Sequence, residues 1–194
     1  MNFTKLGTLA LGACLYSAVA FAQTLPADIA ASKTVKVALN SPYVPLEMKD
    51  PKTNELTGFD IDLGKAMADI LGVKLEYQDG AFEAMTPALQ TGRVDMIMSG
   101  FYDRPKRRDL FDFVDYLKAG TQFFTLSVSK DINELGDLCG KTVSTIRGTS
   151  YPDLIAQVSK DECEAKGKTA ITTRTDNGVP QMLINLRSGR SNAA

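Results

Sequence analysis

The stretch Arg93-Val94-Asp95-Met96-Ile97-Met98-Ser99-Gly100-Phe101-Tyr102-Asp103-Arg104-Pro105-Lys106-Arg107 decides the fold class of this chain. Residues 94–98 are a short, mainly apolar run of the length of a buried strand, and Ser99-Gly100 breaks this run into a polar loop. A loop at the carboxyl end of a strand in an open α/β sheet is where such folds bind their ligands. We therefore predict that this loop holds an anionic group of a small molecule, with Arg107 as its counter-charge.

Upstream of this stretch, strand-like and helix-like patterns alternate. Residues 34–39, 73–77 and 94–98 predict strands, and residues 60–71 and 83–91 predict the helices between them. This β-α-β-α-β order favours an α/β fold with a parallel sheet and right-handed crossovers. The first helix is predicted to have Asp60 as its N-cap, Gly72 as its C-terminal stop, and an apolar stripe formed by Ile61, Met67, Ile70 and Leu71.

The second half of the chain repeats this alternation. Residues 121–128 are a β-rich run that would carry the chain out of the first sheet into a second unit. In that unit the sequence predicts strands at 141–146 and 169–173 and helices at 151–158 and 181–187.

The two units share a short internal sequence repeat. Residues 88–93 correspond to residues 185–190, but only the first copy continues into a strand-like run. After the second copy the sequence contains only Ser191-Asn192-Ala193-Ala194. We therefore expect the second sheet to lack its next strand and the chain to be a truncated form of a longer protein.

The composition excludes several classes of function. The chain is 44% apolar and 23% charged, which is typical of an ordinary soluble protein. Its net charge of -1 gives no reason to expect nucleic acid or an anionic membrane as a partner. Histidine is absent, which excludes Ser-His-Asp and Cys-His catalysis and any His-based metal site.

The N-terminal residues are predicted to be a secretory signal peptide. Lys5 precedes an apolar run that ends in Ala20-Phe21-Ala22, so residues 1–22 would be removed by cleavage after Ala22. A lipoprotein signal ending at Cys14 is the alternative, which is less favoured because the apolar run continues past that residue. A membrane anchor is less favoured still, since the run is shorter than the roughly 20 residues that span a bilayer.

Cleavage would leave two cysteines, Cys139 and Cys163, in an oxidising compartment. We expect a disulfide between them. Two separate buried thiols are the alternative, although both residues lie in polar or charged turns. Two cysteines alone supply too few ligands for a metal site.

Several motifs in a fixed order carry a family resemblance. They are Gly58-Phe59-Asp60-Ile61-Asp62-Leu63, residues 87–95, Arg104-Pro105-Lys106-Arg107 followed by Asp112-Phe113, Gly140-Lys141-Thr142-Val143 and Gly148-Thr149. In this order and spacing they resemble the family 3 bacterial extracellular solute-binding proteins, the periplasmic components of polar amino-acid import systems. The resemblance extends from about residue 35 to residue 190.

The resemblance implies a two-lobed clamshell in which each lobe is a mostly parallel sheet with flanking helices. Lobe 1 would comprise residues 23–117 and an incomplete lobe 2 residues 118–194, without the return of the chain to lobe 1. A periplasmic protein of this kind binds an amino acid between its lobes and delivers it to the membrane permease of an ATP-driven transporter. We accordingly expect a monomer that is not an enzyme and that has no metal or other cofactor.

The resemblance also implies the roles of individual residues around a zwitterionic ligand. Arg107 matches the arginine that binds the α-carboxylate, and Asp176 matches the acid that pairs with the α-ammonium, although Asp176 also fits a helix N-cap. Thr149 and Ser150 match a turn that reaches the carboxylate from lobe 2.

Three aromatic residues and a serine complete the predicted site. Tyr43 and Phe82 stand where the family places groups around the ligand side chain, although ordinary core packing explains them equally well. Ser99 and Tyr102 lie in the carboxylate-binding loop, where Gly100 and Tyr102 replace the small hydroxyl residues of many members. Donors at those two positions must therefore be backbone amides.

Two other functions remain open at this point. The same fold also serves a periplasmic cyclohexadienyl dehydratase, which uses an acidic group in the cleft, and here only Asp176 could supply one. A ligand-sensing domain of a receptor or a cell-wall lyase would need a downstream domain, which the sequence does not contain.

Overall fold

The computed structural model describes residues 24–194, so the predicted signal peptide and the lipoprotein alternative at Cys14 lie outside the described residues. In chain order the helices and strands are α1 Ala27–Ser32, β1 Thr34–Leu39, β2 Met48–Lys49, β3 Leu56–Thr57, α2 Phe59–Leu71, β4 Lys74–Asp79, α3 Phe82–Gln90, β5 Met96–Ile97, α4 Pro105–Arg108, β6 Thr142–Ile146, α5 Tyr151–Val158, β7 Thr172–Asp176 and α6 Val179–Arg187. Short 3-10 helices occupy Leu135–Leu138 and Glu164–Lys166, and a π-helical turn occupies Ser159–Cys163.

The first sheet has three parallel strands in the order β4-β1-β5. The three predicted strands and the predicted parallel pairing are therefore confirmed, with small shifts at the strand ends. Buried side chains of β1 face both ways: Ala38 packs with Met85 and Ala88 of α3, whereas Val35 and Val37 pack toward α1 and α2. The first unit is thus a three-layered α/β structure.

Helix α2 begins differently from the prediction. Its N-cap is Gly58, so the prediction of Asp60 as N-cap is wrong, and Asp60 is instead fully buried within the first turn. The backbone amides of Phe59 and Asp60 bond to the carbonyls of Pro45 and Leu46 at 3.1 and 2.9 Å, so the first turn needs no side-chain cap. A Cβ at Gly58 would lie 2.4 Å from the Leu46 carbonyl oxygen, which explains the glycine.

The apolar stripe of α2 is also shorter than predicted. Ile61 is buried and Met67 packs on the sheet, but Ile70 and Leu71 are 85% and 44% exposed. The close approach to the sheet occurs about two turns earlier, at Gly64, where a Cβ would lie 2.2 Å from the Tyr77 hydroxyl. The final turn lies beyond that contact and faces solvent.

The second sheet contains β6 and β7, which pair in parallel. Helix α5 matches its predicted bounds, while β7 and α6 begin later and earlier than predicted, respectively. As expected, this sheet has no third strand within the described residues, and only one residue near the chain end pairs with β6. Ala193 forms a parallel bridge with Val143, and its carbonyl accepts from the Ser144 amide at 2.9 Å.

The β-rich run at 121–128 forms no regular strand in the described structure. It nevertheless pairs locally with the end of the chain, because Phe124 and Ala194 exchange both backbone hydrogen bonds at 2.9 Å. The hydroxyl of Thr125 also donates to the Asn192 carbonyl at 2.7 Å. The run is thereby attached to the second sheet. The predicted boundary between lobes at residue 117 stays a prediction.

Within residues 24–194, no helix combines the length and the apolar character needed to cross a membrane. The Cys139–Cys163 disulfide that was predicted is present, with a Cα–Cα distance of 5.4 Å. Cys163 is buried in a cluster with Leu138, Val143 and Ile155, so the bond joins the turn before β6 to the π-helical turn.

Replacing both cysteines by serine should lower the free energy of unfolding by about 3 kcal/mol, because the bond closes a loop between residues 24 apart and restricts the unfolded chain. Urea denaturation of the wild type and of the double variant measures this difference. The wild type in reductant should unfold at the urea concentration of the variant. An unchanged midpoint in both cases would contradict a stabilising role.

Candidate functional site

A cavity of about 270 Å³ lies where the carboxyl ends of β1, β5 and β6 meet the connecting segment. Residues of both units line it, and these are Asn40, Pro42, Tyr43, Phe82, Ser99, Gly100, Tyr102, Arg107, 119–124, 144–146, 149–151, Leu154, Ile155, Val179, Met182 and Ala194. Its position follows from the topology, since parallel strands place the loops at their carboxyl ends on one edge.

The loop after β5 contributes Ser99 and Gly100. Ser99 is buried. Its hydroxyl accepts from the backbone amide of Asn40 at 2.9 Å and donates to Oε1 of Glu47 at 2.5 Å. Gly100 has a φ of +52°, and a Cβ there would lie 2.4 Å from the Tyr43 ring. The glycine that replaces a hydroxyl residue is therefore required by the position of Tyr43.

Arg107 is half-buried in the cavity wall. Its guanidinium donates to the Tyr102 carbonyl at 2.8 Å and to the Gly148 carbonyl at 3.3 Å, and it lies 3.8 Å from the centre of the Phe101 ring. None of the ion pairs formed within residues 24–194 includes Arg107. Burial lowers the pKa of Arg107, and nearby Arg104 lowers it further.

The other members of the basic cluster are engaged elsewhere. Lys106 pairs with Asp153 at 2.7 Å, and Arg108 pairs with Asp103 at 2.7 Å, both at exposed positions. Arg104 lies 5.2 Å from the centre of the Tyr102 ring, on the outside of the cavity. Among the described residues that line the cavity, Arg107 has the one charged side chain.

The turn before α5 contributes Thr149 and Ser150 from the second unit. The Thr149 hydroxyl donates to the Ile146 carbonyl at 2.7 Å, so its proton is already used within the turn. Ser150 is the N-cap residue of α5, but its hydroxyl does not cap the helix, and its oxygen is buried without a partner among the described residues. Ser150 therefore presents a free donor at the cavity, next to a helix N-terminus.

Asp176 does not line the cavity. It is the last residue of β7, and its Oδ1 accepts from Asn185 at 2.8 Å and lies 3.5 Å from Arg174. Its Oδ2 is buried and has no partner among residues 24–194. The N-cap interpretation of Asp176 is wrong, since Gly178 occupies that position of α6.

Tyr43, Tyr102 and Tyr151 converge on the cavity from both units, and the rings of Tyr102 and Tyr151 meet edge-to-face at 6.2 Å. Burial raises the pKa of Tyr43 and of Tyr151, so both hydroxyls stay protonated near neutral pH. Phe82, the first residue of α3, lines the cavity while stacking on Phe101 at 5.6 Å. Its core packing is thus observed, whereas its contact with a ligand side chain stays a prediction.

Sequence reasoning missed three kinds of lining residue. Tyr151 follows the Gly-Thr-Ser turn directly, and that position was a usable signal. Asn40 follows the first predicted strand and lies at the sheet edge, which was also a usable signal. Gln122, Phe123 and Phe124 come from the irregular connection, where no periodic pattern predicts which side chains face the cavity.

Comparison with known proteins decides the family. Residues 35–186 match the family model of the bacterial extracellular solute-binding proteins, family 3. The chain belongs to this family. It is similar to the arginine-binding protein ArgT of Corynebacterium glutamicum, with 31% identity over 169 residues, which are 87% of this chain and 55% of that protein. The chain thus spans about half the length of this family member.

Two solved structures of the family give the same result. One is an ancestral arginine-binding protein bound to arginine, with a TM-score of 0.74, 31% identity, and coverage of 83% of this chain and 68% of that one. The other is an ancestral amino-acid-binding protein described as a precursor of cyclohexadienyl dehydratase, with a TM-score of 0.75, 31% identity, and coverage of 86% and 70%. The expected fold, a two-lobed α/β clamshell whose second lobe is incomplete, is confirmed.

Gly148 lies against Glu83 at the first residues of α3, and a Cβ at Gly148 would lie 2.8 Å from Cα of Glu83. Gly148→Ala should therefore cost clearly more than the roughly 1–2 kcal/mol of a left-handed alanine alone. Gly189→Ala is the matched control, because Gly189 has a similar φ of +72° against +79° and nothing within 4 Å. Urea denaturation measures both losses. Equal losses would show that the contact with Glu83 is unimportant.

Proposed function

We propose that this protein binds an amino acid in the cavity between its lobes and is the substrate-binding component of an import system. The observation that carries the proposal is Arg107, a half-buried guanidinium that forms no ion pair among the described residues and is the one charged side chain that lines the cavity. An unpaired charge removed from water is unfavourable. A ligand carboxylate would supply the missing partner through planar, charge-assisted hydrogen bonds.

The second lobe would complete the carboxylate site. Ser150 has a buried hydroxyl without a partner, and it stands at the N-terminus of the eight-residue helix α5. A helix N-terminus stabilises negative charge through its dipole and its free amides. Because Arg107 and Ser150 belong to different lobes, one carboxylate held by both would also hold the lobes together.

Asp176 is proposed as the partner of the ligand ammonium. Support for this role comes from its buried, unpartnered Oδ2 and from its ladder neighbour Ile146, which lines the cavity. A carboxylate with one oxygen bonded to Asn185 keeps the other free for a cation. Because Asp176 lies behind Ile146 and does not itself line the cavity, the ammonium would have to reach past Ile146 to satisfy that oxygen.

The lining favours a neutral ligand side chain over a cationic one. Relatives of this chain are named for arginine, yet none of the described residues that line this cavity is acidic. Arg107 adds positive charge, and Arg104 already occupies one face of the Tyr102 ring. A second cation would therefore meet repulsion, whereas Tyr43, Phe82 and Tyr151 offer apolar and hydroxyl contacts.

Family membership supports the remaining parts of the proposal. The protein would act as a monomer in the periplasm and deliver its ligand to a membrane permease of an ATP-driven transporter. A dehydratase function is suggested by the similarity to a dehydratase precursor. It would need an acidic group at the reacting bond, and none lines the cavity within residues 24–194.

Arg107→Ala should weaken amino-acid binding roughly 100-fold, since hydrogen bonds to a charged group contribute about 1.5–3 kcal/mol. Calorimetric titration with a panel of L-amino acids measures the change. Lys106→Ala is the control, because Lys106 carries the same charge one residue away but forms an exposed pair with Asp153. Binding that is unaffected by Arg107→Ala, or the absence of binding by every amino acid in the wild type, would refute the proposal.

The same titration tests the choice of ligand side chain. The wild type should bind L-glutamine or L-phenylalanine more tightly than L-arginine or L-lysine. Gln122→Glu, which places a carboxylate at the cavity, should raise the relative affinity for L-lysine by about fivefold, as one exposed ion pair contributes about 1 kcal/mol. Gln90→Glu adds the same charge outside the cavity as a control. Preferential binding of L-arginine by the wild type would contradict the selectivity.

A further inference from the structure

Two buried carboxyl groups lie directly beneath the lobe-1 wall of the cavity. Glu47 precedes β2 and Asp60 lies in the first turn of α2, and the side chains of both are fully buried. Neither takes part in any ion pair within the described part of the chain. The amino-acid-binding role does not use them directly, since neither lines the cavity.

Each group has one satisfied oxygen and one unsatisfied oxygen. Glu47 Oε1 accepts from the Ser99 hydroxyl at 2.5 Å, and Asp60 Oδ2 accepts from the Tyr116 hydroxyl at 3.1 Å. The remaining oxygens, Glu47 Oε2 and Asp60 Oδ1, are buried and find no donor among residues 24–194. The backbone amide of Asp60 donates to the carbonyl of Leu46 at 2.9 Å, so the first turn of α2 lies against the residue next to Glu47.

A shared proton resolves both deficiencies at once. Two ionised carboxylates in contact and out of water repel each other, and each leaves an oxygen without a donor. A single proton between Glu47 and Asp60 removes one charge and supplies the missing donor. Burial, partly offset by the Ser99 hydrogen bond and reinforced by Asp60, raises the pKa of Glu47 from 4.5 to about 8.

The surrounding charged and titratable groups do not neutralise the pair. Asp79 at the end of β4 is a further acid, and its own partner is Lys49 at 2.9 Å. Tyr116 and Tyr77 face Asp60, and burial raises the pKa of each. Tyr43 lies near Glu47, and its pKa is likewise raised by burial. The titratable groups around Glu47 and Asp60 are therefore neutral or acidic, except for Lys49, which is paired with Asp79.

Both members of the pair connect to the cavity wall. Ser99 links Glu47 to the Asn40 amide, so one side of the pair holds two lining residues. On the other side, the Tyr116 hydroxyl donates to Asp60 at 3.1 Å, and Gly100, which follows Ser99 directly, also lines the cavity. Mutual repulsion within an ionised pair would act directly on this wall.

We propose that Glu47 and Asp60 share one proton and position Asn40, Ser99 and Gly100, so that loss of this proton at mildly alkaline pH weakens ligand binding. This inference rests on the proposed amino-acid-binding function. The shared proton would make ligand binding depend on pH near neutrality, although the chain contains no histidine and ordinary carboxyl groups titrate at lower pH.

The shared proton is tested first on the protein without ligand. Because the folded protein binds this proton more tightly than the unfolded chain, stability should fall as pH rises from about 4.5 to 8. Urea denaturation between pH 5 and 9.5 measures the fall. In Glu47→Gln the amide donates to Asp60 and its oxygen accepts from Ser99, so this part of the pH dependence should vanish. Asp60→Asn, the mirror-image replacement, should do the same.

Binding of L-glutamine between pH 6.5 and 9 tests the effect on the cavity. The ratio of wild-type affinity to Glu47→Gln affinity should fall about tenfold, because pH 9 lies one unit above the Glu47 pKa of about 8. Taking the ratio removes the titration of the ligand ammonium itself. Glu76→Gln, an exposed change on β4, should keep the wild-type profile.

The results separate the two proposals. A pH-independent ratio, or parallel stability profiles for the wild type and both amide variants, would overturn the shared proton. If no amino acid binds at any pH, the binding function fails, while the stability profiles still decide whether the pair shares a proton.

Discussion

A half-buried positive charge without an acidic partner among residues 24–194 is the constraint on which this site depends. Arg107 is held in the cavity wall by two backbone carbonyls, one in each lobe, and by the face of the Phe101 ring. Carbonyls and an aromatic face orient a guanidinium, but they do not neutralise it. The site is thereby prepared for an anion, and the lobes that supply the two carbonyls are the ones that a bound anion would draw together.

The topology explains why the other components lie nearby. Asn40, Ser99 and Ile146 lie at the carboxyl ends of parallel strands, where they line the cavity. The short turns that follow the strands contribute Tyr43 and Ser150. Glycine permits the tightest approaches, since Gly100 accommodates the Tyr43 ring and Gly148 accommodates Glu83 of the opposite lobe. Below this wall, Glu47 and Asp60 add a polar network whose charge state is coupled to the position of Ser99. Ligand binding and the protonation of Glu47 and Asp60 are thus linked through Ser99.

The sequence predicted the parts of the structure that depend on periodic patterns. The strands of the first sheet, helix α5 and the loop containing Arg107 were found where apolar periodicity and Gly or Ser breaks placed them. Apolar periodicity does not indicate which polar side chains are buried. Asp60 was therefore predicted to be a helix cap, and no burial was predicted for Glu47. The four residues after the second Gly-Arg motif were too few to suggest a strand, yet Ala193 pairs with Val143 because a neighbouring strand supplies the ladder.

The most direct test is a crystal structure of the protein grown with L-glutamine. The account predicts the ligand in the cavity, with a carboxylate oxygen within about 3 Å of an Arg107 guanidinium nitrogen and another near the Ser150 hydroxyl. A ligand whose carboxylate lies elsewhere, with Arg107 still bonded only to the carbonyls of Tyr102 and Gly148, would contradict it.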